Sequence, residues 1–192
     1  MIGIIFGPPG SGKGTQAARV EHAFELQHLS TGEILRSEVQ KGTDVGKEVA
    51  RIMAAGDLVP DASIVGIVRK LLPESEVGAG VLLDGFPRTL EQARALDEML
   101  AEEGHRVDFV VALDVPEKVL VERILHRAAQ EGRADDTREA IAERMHEYHK
   151  LTEAVLDHYR RRGVPVVKVD GVGAVDEVFS RVREALDKSL HR

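Results

Sequence analysis

The segment GPPGSGKGTQ, residues 7–16, combines four glycines with one lysine. Glycine adopts positive φ angles at little cost, so the backbone N–H groups of such a loop can approach an anion closely. The lysine adds a point charge that suits the β- and γ-phosphates of a nucleotide. The usual loop of this type has Ser or Thr directly after the lysine as a Mg²⁺ ligand, whereas glycine stands there in this chain. The predicted phosphate-binding residues are Gly10, Ser11, Gly12, Lys13, Gly14 and Thr15.

The elements that must position this loop follow from the apolar pattern of the chain. Short apolar runs alternate with longer helical patterns, which is typical of a parallel sheet covered by helices on both faces. Thr31, Thr43 and Asp61 are predicted N-caps. The predicted strands are 2–6, 26–30, 80–84, 108–115 and 164–170, and the predicted helices are 13–24, 31–41, 44–55, 61–72, 89–103, 116–129, 137–162 and 174–190. The predicted fold is α/β, a three-layer P-loop fold with a five-stranded parallel sheet.

The length of 192 residues corresponds to one domain, and neither a repeat nor an interdomain linker divides the chain. Three predicted helices in succession interrupt the alternation, so residues 30–59 are expected to form a helical excursion. A polar run, QEGRADD, lies within a second and shorter excursion at 128–136. The expected core of the domain is then 1–29, 60–127 and 137–192.

Composition excludes several classes of function. The net charge of −7 argues against general affinity for nucleic acid, since there is no basic excess to neutralise phosphates. No apolar run reaches about 18 residues, so we expect no membrane span. The N-terminal sequence lacks the pattern of a secretion signal, and a cytoplasmic location is expected. His146 and His149 are spaced i, i+3 without an H-E-x-x-H pattern, which favours surface or packing histidines over a metal site.

Further motifs follow the glycine loop in order: STGEILR (30–36), LLDGFPRTLEQ (82–92), VERILHR (121–127) and GRADD (132–136). Together with Arg144 they cover essentially the whole chain, which closely resembles the adenylate kinase family. That family transfers a phosphoryl group from MgATP to AMP. The resemblance therefore implies ATP, AMP and ADP as partners and Mg²⁺ as cofactor. The family loop is written G-x-P-G-x-G-K-G-T, so Gly14 and Thr15 are its own form.

The resemblance implies an AMP site, and the residues make chemical sense in it. Arg36 lies five residues after Thr31, just over one helical turn, so it can reach an anion near the helix start. The amide of Gln92 both donates and accepts hydrogen bonds, which matches an adenine edge. By resemblance the AMP-binding residues are Thr31, Arg36, Asp57, Leu58, Val59, Gly85, Phe86, Pro87, Arg88, Gln92, Arg133 and Arg144.

The magnesium and ATP sites follow in the same way. Asp84 ends an apolar strand, where an unpaired carboxylate would be costly. Ligands of α/β sheets bind at the carboxyl ends of the strands, which is where Asp84 is expected to lie. It is expected to organise Mg²⁺ through water, because Mg²⁺ dehydrates reluctantly. Arg123 and Arg127 share one helix face, and the resemblance places them on the adenine and phosphates of ATP, with Gly173 contacting the base. The implied catalytic residues are Lys13, Asp84, Arg88, Arg127, Arg133 and Arg144.

The two excursions acquire roles from the same resemblance. The resemblance implies that residues 30–59 bind the nucleoside monophosphate (NMP) and that residues 128–136 form a short lid. Both segments are expected to close over the nucleotides. Asp135 and Asp136 could then position the lid arginines by bidentate pairing. The chain contains no Cys, so the four-cysteine zinc site of some long-lid relatives cannot exist. A monomer without zinc is expected.

Three other classes of nucleotide-binding protein share part of this pattern. A UMP/CMP kinase shares the fold and most arginines, but that family typically has Ala in place of Thr31 and Asn in place of Gln92. A GTPase switch needs an N-K-x-D motif, and this chain contains no Asn. A nucleotide-binding module without catalysis has no need for arginines on moving loops. Phosphoryl transfer from ATP to AMP is therefore the predicted function, with UMP/CMP kinase as the alternative.

Overall fold

A computed structural model describes residues 1–74, 80–131 and 137–190 of the chain. The strands in these ranges are β1 (Ile2–Phe6), β2 (Gln27–Ser30), β3 (Val81–Asp84), β4 (Phe109–Asp114) and β5 (Val166–Asp170). The helices are α1 (Lys13–Phe24), α2 (Thr31–Lys41), α3 (Asp44–Ala55), α4 (Asp61–Glu74), α5 (Leu90–Glu102), α6 (Glu117–Glu131), α7 (Arg138–Arg161) and α8 (Val175–Leu190).

All strand pairs are parallel, and the strand order is β2-β3-β1-β4-β5. The predicted five-stranded parallel sheet is confirmed. The chain adds β2 and β3 on one side of β1 and β4 and β5 on the other. A cleft forms where the order reverses in this way, at the carboxyl ends of the strands. The glycine loop follows β1 at that point, and Asp84 ends the neighbouring strand.

Helices cover the sheet on both faces, and the side chains of β1 alternate between the two layers. Ile4 belongs to a core cluster that includes Leu83 and the α7 residue Tyr159. Ile5 belongs to a second cluster with Val20 of α1 and with residues of α8. Every residue of β1 is buried, as expected for a central strand covered on both sides. The strand is therefore a rigid support for the loop that follows it.

Two of the predicted helix caps are wrong. Ser30 caps α2, because its hydroxyl accepts a hydrogen bond from the backbone N–H of Glu33, and Thr31 is the first helical residue. Asp61 is likewise the first residue of α4 and uses its carboxylate elsewhere. The predicted cap Thr43 is confirmed by its bond from the Gly46 N–H at 3.1 Å.

Gly56 follows the last residue of α3 and lies against the α7 residue Ala140. Its φ is 85°, and a Cβ at this position would lie 2.5 Å from the backbone oxygen of Ala140. Only glycine satisfies both the left-handed backbone and this contact. The residues that join α3 to α4 are thereby held against α7.

We expect Gly56→Ala to lower the free energy of unfolding by about 2 kcal/mol or more, since strain and a backbone clash combine. Chemical denaturation measures this change. Gly66→Ala is the matched control, because Gly66 lies inside α4 and no described atom comes within 4 Å of its absent Cβ. That control should gain roughly 0.5–1 kcal/mol from helix propensity. Equal stabilities of the two variants would contradict the prediction.

Candidate active site

The glycine loop presents backbone donors at the N-terminus of α1. Gly10 and Gly12 have φ angles of 78° and 87°, and Gly12 directly precedes the helix. No described atom lies within 4 Å of the place where a Gly12 Cβ would stand, so the loop faces open space there. The backbone N–H groups at a helix N-terminus and the helix dipole favour an anion at such a position. The loop has the geometry of a phosphate site.

Arg123 braces this loop from α6. Its guanidinium donates to the backbone oxygen of Ser11 at 3.5 Å and to that of Gly171, just after β5, at 3.1 Å. The predicted ATP-contacting arginine thus joins the glycine loop to the far end of the sheet. Arg123 also lines the same cavity as the glycine loop.

That cavity has a volume of about 360 Å³ and lies at the carboxyl edge of the sheet. The predicted loop residues Gly10, Gly12, Lys13, Gly14 and Thr15 line one side of it. Four arginines also belong to its lining, namely Arg36 of α2, Arg88 before α5, Arg123 of α6 and Arg144 of α7, together with the acidic residues Glu33 and Asp84. Elements distant in sequence thus direct positive charge into one space, which suits a polyphosphate.

Asp84 provides a carboxylate within this basic cavity. The residue is 7% exposed, and its Oδ2 lies 3.4 Å from Nε2 of His28 on β2. Burial alone would raise the pKa of Asp84, but His28, Lys13 and Arg88 together hold that pKa below its usual range. Burial also opposes the charge on His28, yet Asp84 raises the pKa of that imidazole. Asp84 is therefore ionised at neutral pH.

Gly14 lies beside Asp84. A Cβ at this position would lie 3.9 Å from Oδ2 of Asp84, an ordinary van der Waals distance, so any side chain there would stand next to the carboxylate. With glycine, that place carries no side-chain atom and is open to water or a hydrated cation. Both residues line the 360 Å³ cavity. A buried, ionised carboxylate beside a phosphate site fits Mg²⁺ held through water.

Arg88 is fixed at the centre of the site. Its Nε donates to the backbone oxygen of Gly85 at 2.8 Å. The side chain faces the cavity, and the surrounding protein, Arg144 and Arg36 lower its pKa to about 10, while Asp84 acts in the opposite direction. Arg88 remains cationic at neutral pH. Its charge is thus held in place before any ligand binds.

A smaller cavity of about 60 Å³ adjoins the central one beneath α2 and α3. Its lining includes the following predicted AMP-site residues: Thr31, Arg36, Asp57, Leu58, Val59, Gly85, Arg88, Gln92 and Arg144. Phe86 and Pro87 line a neighbouring space with Arg88 and Arg144. The structure therefore brings these residues together, although sequence separates them by more than 100 positions.

Thr31 and Gly85 meet at the entrance to the smaller cavity. The Thr31 hydroxyl donates to the backbone oxygen of Asp84 at 3.3 Å. Gly85 has a φ of 81°, and a Cβ there would lie 2.8 Å from Oγ1 of Thr31 and 3.1 Å from a guanidinium nitrogen of Arg88. This glycine permits both side chains to approach the end of β3.

The chain matches proteins of known function over most of its length. Residues 5–164 match the family model described as adenylate kinase. The chain is 49% identical over 183 residues to the adenylate kinase of Xylella fastidiosa strain M12, covering 95% of this chain and 97% of that protein. The chain belongs to the adenylate kinase family. Adenylate kinases of Stenotrophomonas maltophilia and Xanthomonas campestris pv. campestris strain B100 are 46% and 45% identical, over 95% and 96% of this chain and 97% and 98% of theirs.

Membership of the adenylate kinase family confirms the resemblance and the P-loop fold, while some predicted site residues remain without a described position. Arg133, Asp135 and Asp136 lie outside the described residues, and so does most of the predicted lid at 128–136. Arg127 lies on α6, but its side chain is not among the described ones. Gly173, with a φ of 127°, precedes α8 beside Glu177 and is not among the residues that line the central cavity.

Two general findings apply to the described part of this adenylate kinase family member. No helix in residues 1–74, 80–131 or 137–190 is both long and apolar enough to span a membrane. Across the same ranges, no group of three or more His, Asp or Glu side chains is placed so that it could bind a metal ion.

Sequence reasoning missed two polar residues beside the predicted ones. His28 contacts Asp84, and Asp61 contacts Gln92. The parallel register pairs Ser30 with Asp84, and this places His28, two residues earlier on β2, within reach of the carboxylate. The alternation of side chains along β2 puts His28 and Ser30 on the same face of the sheet. That this face also carries Asp84 becomes known only from the pairing of β2 with β3. Tyr148 and Thr152 of α7 were also missed, although they line the space behind Arg88.

Proposed function

We propose that this member of the adenylate kinase family transfers a phosphoryl group reversibly from MgATP to AMP, forming two ADP. The observation that carries the proposal is the meeting of two cavities. One is lined by the glycine loop, Lys13 and Asp84, and the other by Thr31 and Gln92. Arg36, Arg88 and Arg144 line both of them. A donor triphosphate and an acceptor monophosphate in these two spaces would place their reacting groups among the same arginines.

Transfer proceeds in line, without a covalent enzyme intermediate. An oxygen of the AMP phosphate bonds to the γ-phosphorus of ATP while the bond to the β–γ bridging oxygen breaks. Lys13 and the arginines spread positive charge around the transferring group, which is the main demand of this chemistry. We assign Arg88 and Arg144 to the centre of transfer. Arg127 and Arg133 stay predicted contributors from the lid side.

Mg²⁺ supplies charge neutralisation on the donor phosphates when MgATP binds. The residues fit a hydrated ion. Asp84 is buried, ionised and part of the lining of the central cavity, and Gly14 beside it carries no side chain. We assign Asp84 to hold water ligands of the ion, with Thr15 turning its hydroxyl toward the same phosphates.

We further propose that residues 30–59 close over AMP and residues 128–136 over ATP. Closure excludes water, which would otherwise accept the phosphoryl group. Since one chain supplies the groups around both cavities, we propose that it acts as a monomer. The cytoplasm, where both nucleotides are abundant, is its proposed compartment.

A single panel of assays tests the function. ATP is incubated with AMP, UMP, CMP, GMP or no acceptor, and ADP formation is followed. ADP formation that depends on AMP supports the proposal. Equal ADP formation with no acceptor would indicate an ATPase, and a preference for UMP or CMP would indicate the related pyrimidine kinase.

We expect the double change Thr31→Ala and Gln92→Asn to weaken the preference for AMP over UMP and CMP. Thr31 and Gln92 line the smaller cavity and are 3% and 2% exposed, so the two changes remove side-chain atoms from its lining and weaken its contacts with a purine. The ratio of kcat/KM for AMP to that for UMP should fall by about tenfold, since loss of one fitted contact typically has this effect. Thr31→Ser with Gln92 intact is the control, and an unchanged ratio in the double variant would remove the base-recognition assignment.

A further inference from the structure

Asp61 lies at the point where α4 begins, just after the segment that lines the smaller cavity. Both of its carboxylate oxygens are engaged by α5 and its cap. Oδ1 accepts from Nε2 of Gln92 at 2.6 Å, and Oδ2 accepts from the hydroxyl of Thr89 at 2.9 Å. Thr89 itself caps α5 by accepting from the Gln92 backbone N–H at 3.1 Å. The carboxylate is therefore fixed by two donors.

These contacts determine which way the Gln92 amide points. A carboxylate can only accept hydrogen bonds, so the amide atom that faces Asp61 must be the nitrogen. The other end of the amide accepts a hydrogen bond from the backbone N–H of Arg88 at 2.7 Å, so the amide atom that faces Arg88 must be the oxygen. The orientation of an amide is assigned from its hydrogen-bond partners, and here both partners require Nε2 toward Asp61 and Oε1 toward Arg88.

These two contacts leave the amide one further N–H and one further lone pair, and Gln92 belongs to the lining of the smaller cavity. Adenine presents an N–H donor at its 6-amino group and an acceptor at N1. A 6-oxo purine presents the reverse, an acceptor at O6 and an N–H at N1. An amide that could rotate by half a turn would bind either edge equally well, whereas a fixed amide binds only one of them.

We propose that Asp61 is the positioning residue that fixes the Gln92 amide and so selects a 6-amino purine over a 6-oxo purine in the acceptor site. The inference rests on the proposed transfer to AMP and deepens it. Asp61 does not touch the base. It acts through Gln92, and its strongest contact is a charge-assisted hydrogen bond.

Asp61→Ala removes the acceptor, and Asp61→Leu does so while keeping side-chain bulk. For each variant, kcat/KM is measured with AMP and with IMP, using ATP as donor. The ratio of the two values is taken within one preparation, so the fraction of folded protein cancels. IMP has the same purine outline as AMP and the reversed donor–acceptor edge, which makes it the sharpest probe.

We expect the IMP-to-AMP ratio to rise by about tenfold in both variants, the typical effect of losing one charge-assisted hydrogen bond. The KM for AMP should rise more than kcat falls, because Asp61 does not contact the transferring group. Asp44→Asn is the matched control. It removes the same charge from a first helical residue, but Asp44 is fully exposed on α3 and far from Gln92 in the chain.

The outcomes separate the two proposals. If the ratio stays within about twofold of the parent value while activity with AMP falls, Asp61 is merely structural and the inference is overturned. A parent protein that converts AMP and IMP equally well also overturns it, and leaves the transfer to AMP standing. A parent that forms no ADP from AMP overturns both.

Discussion

Replacement of Lys13 by alanine is expected to lower kcat/KM for ADP formation by about 10³-fold or more while leaving the fold intact. Lys13 is the first residue of α1 and lines the central cavity, where its Nζ lies 3.3 Å from the backbone oxygen of Pro8. It also helps to hold the pKa of Asp84 low, so its loss removes a positive charge from the phosphate site and raises the pKa of that carboxyl. Steady-state kinetics measures the loss, and circular dichroism checks the fold.

Lys13→Met keeps the apolar stem of the side chain and isolates the effect of the charge. Lys188→Met is the matched control, because Lys188 is an exposed lysine of α8 paired with Glu184. That control should change activity by less than about twofold, as expected for a surface substitution. Substantial activity in either Lys13 variant would overturn the assignment of the glycine loop to the donor phosphates.

Arg88→Ala is expected to cost about 3–4 kcal/mol of transition-state stabilisation, or roughly 10²–10³ in kcat/KM. The guanidinium is held by the backbone oxygen of Gly85 and keeps its charge at neutral pH. It lies where the two cavities meet, so its loss affects the transferring group and not one nucleotide alone. The measurement is kcat/KM for AMP at saturating MgATP.

Arg88→Lys keeps a charge but loses the planar pair of donors, and it should recover only part of the rate. Arg160→Ala is the control for loss of an arginine, because Arg160 pairs with Glu153 and Asp157 at the surface end of α7. A fall of less than tenfold for Arg88→Ala would contradict its assigned place in the transfer.

The glycine loop and the strands show what local sequence can predict. The loop was predictable because glycines, a lysine and an apolar strand occur within 15 consecutive residues. The strands β1, β3, β4 and β5 were predictable because each is short, mostly apolar and bounded by turn residues, whereas β2 (QHLS) is mostly polar and was a short candidate between two helical patterns. The Ser30 cap was missed because Ser30 and Thr31 are adjacent residues with similar side chains, and only the hydrogen bond to Glu33 distinguishes them.

Contacts between distant elements were the part that sequence could not predict. Asp61 resembles an ordinary cap residue until α5 is placed beside it, and then its carboxylate proves to bind Gln92. His28 resembles a polar residue of an edge strand until the register with β3 brings it to Asp84. Gly56 has no motif at all, and its role depends on the position of Ala140. Each depends on packing of segments more than 25 positions apart.

The clustered arginines have a consequence for the protein without nucleotide. Burial lowers the pKa of Arg88 most, and Arg144 and Arg36 lower it further, so the three like charges disfavour one another in the folded chain. This repulsion counts against the stability of the free protein. A polyanion that enters the cavity removes this repulsion and adds its own attraction. Binding and folding are thus coupled, and the same charges that weaken the resting molecule make it ready for its substrates.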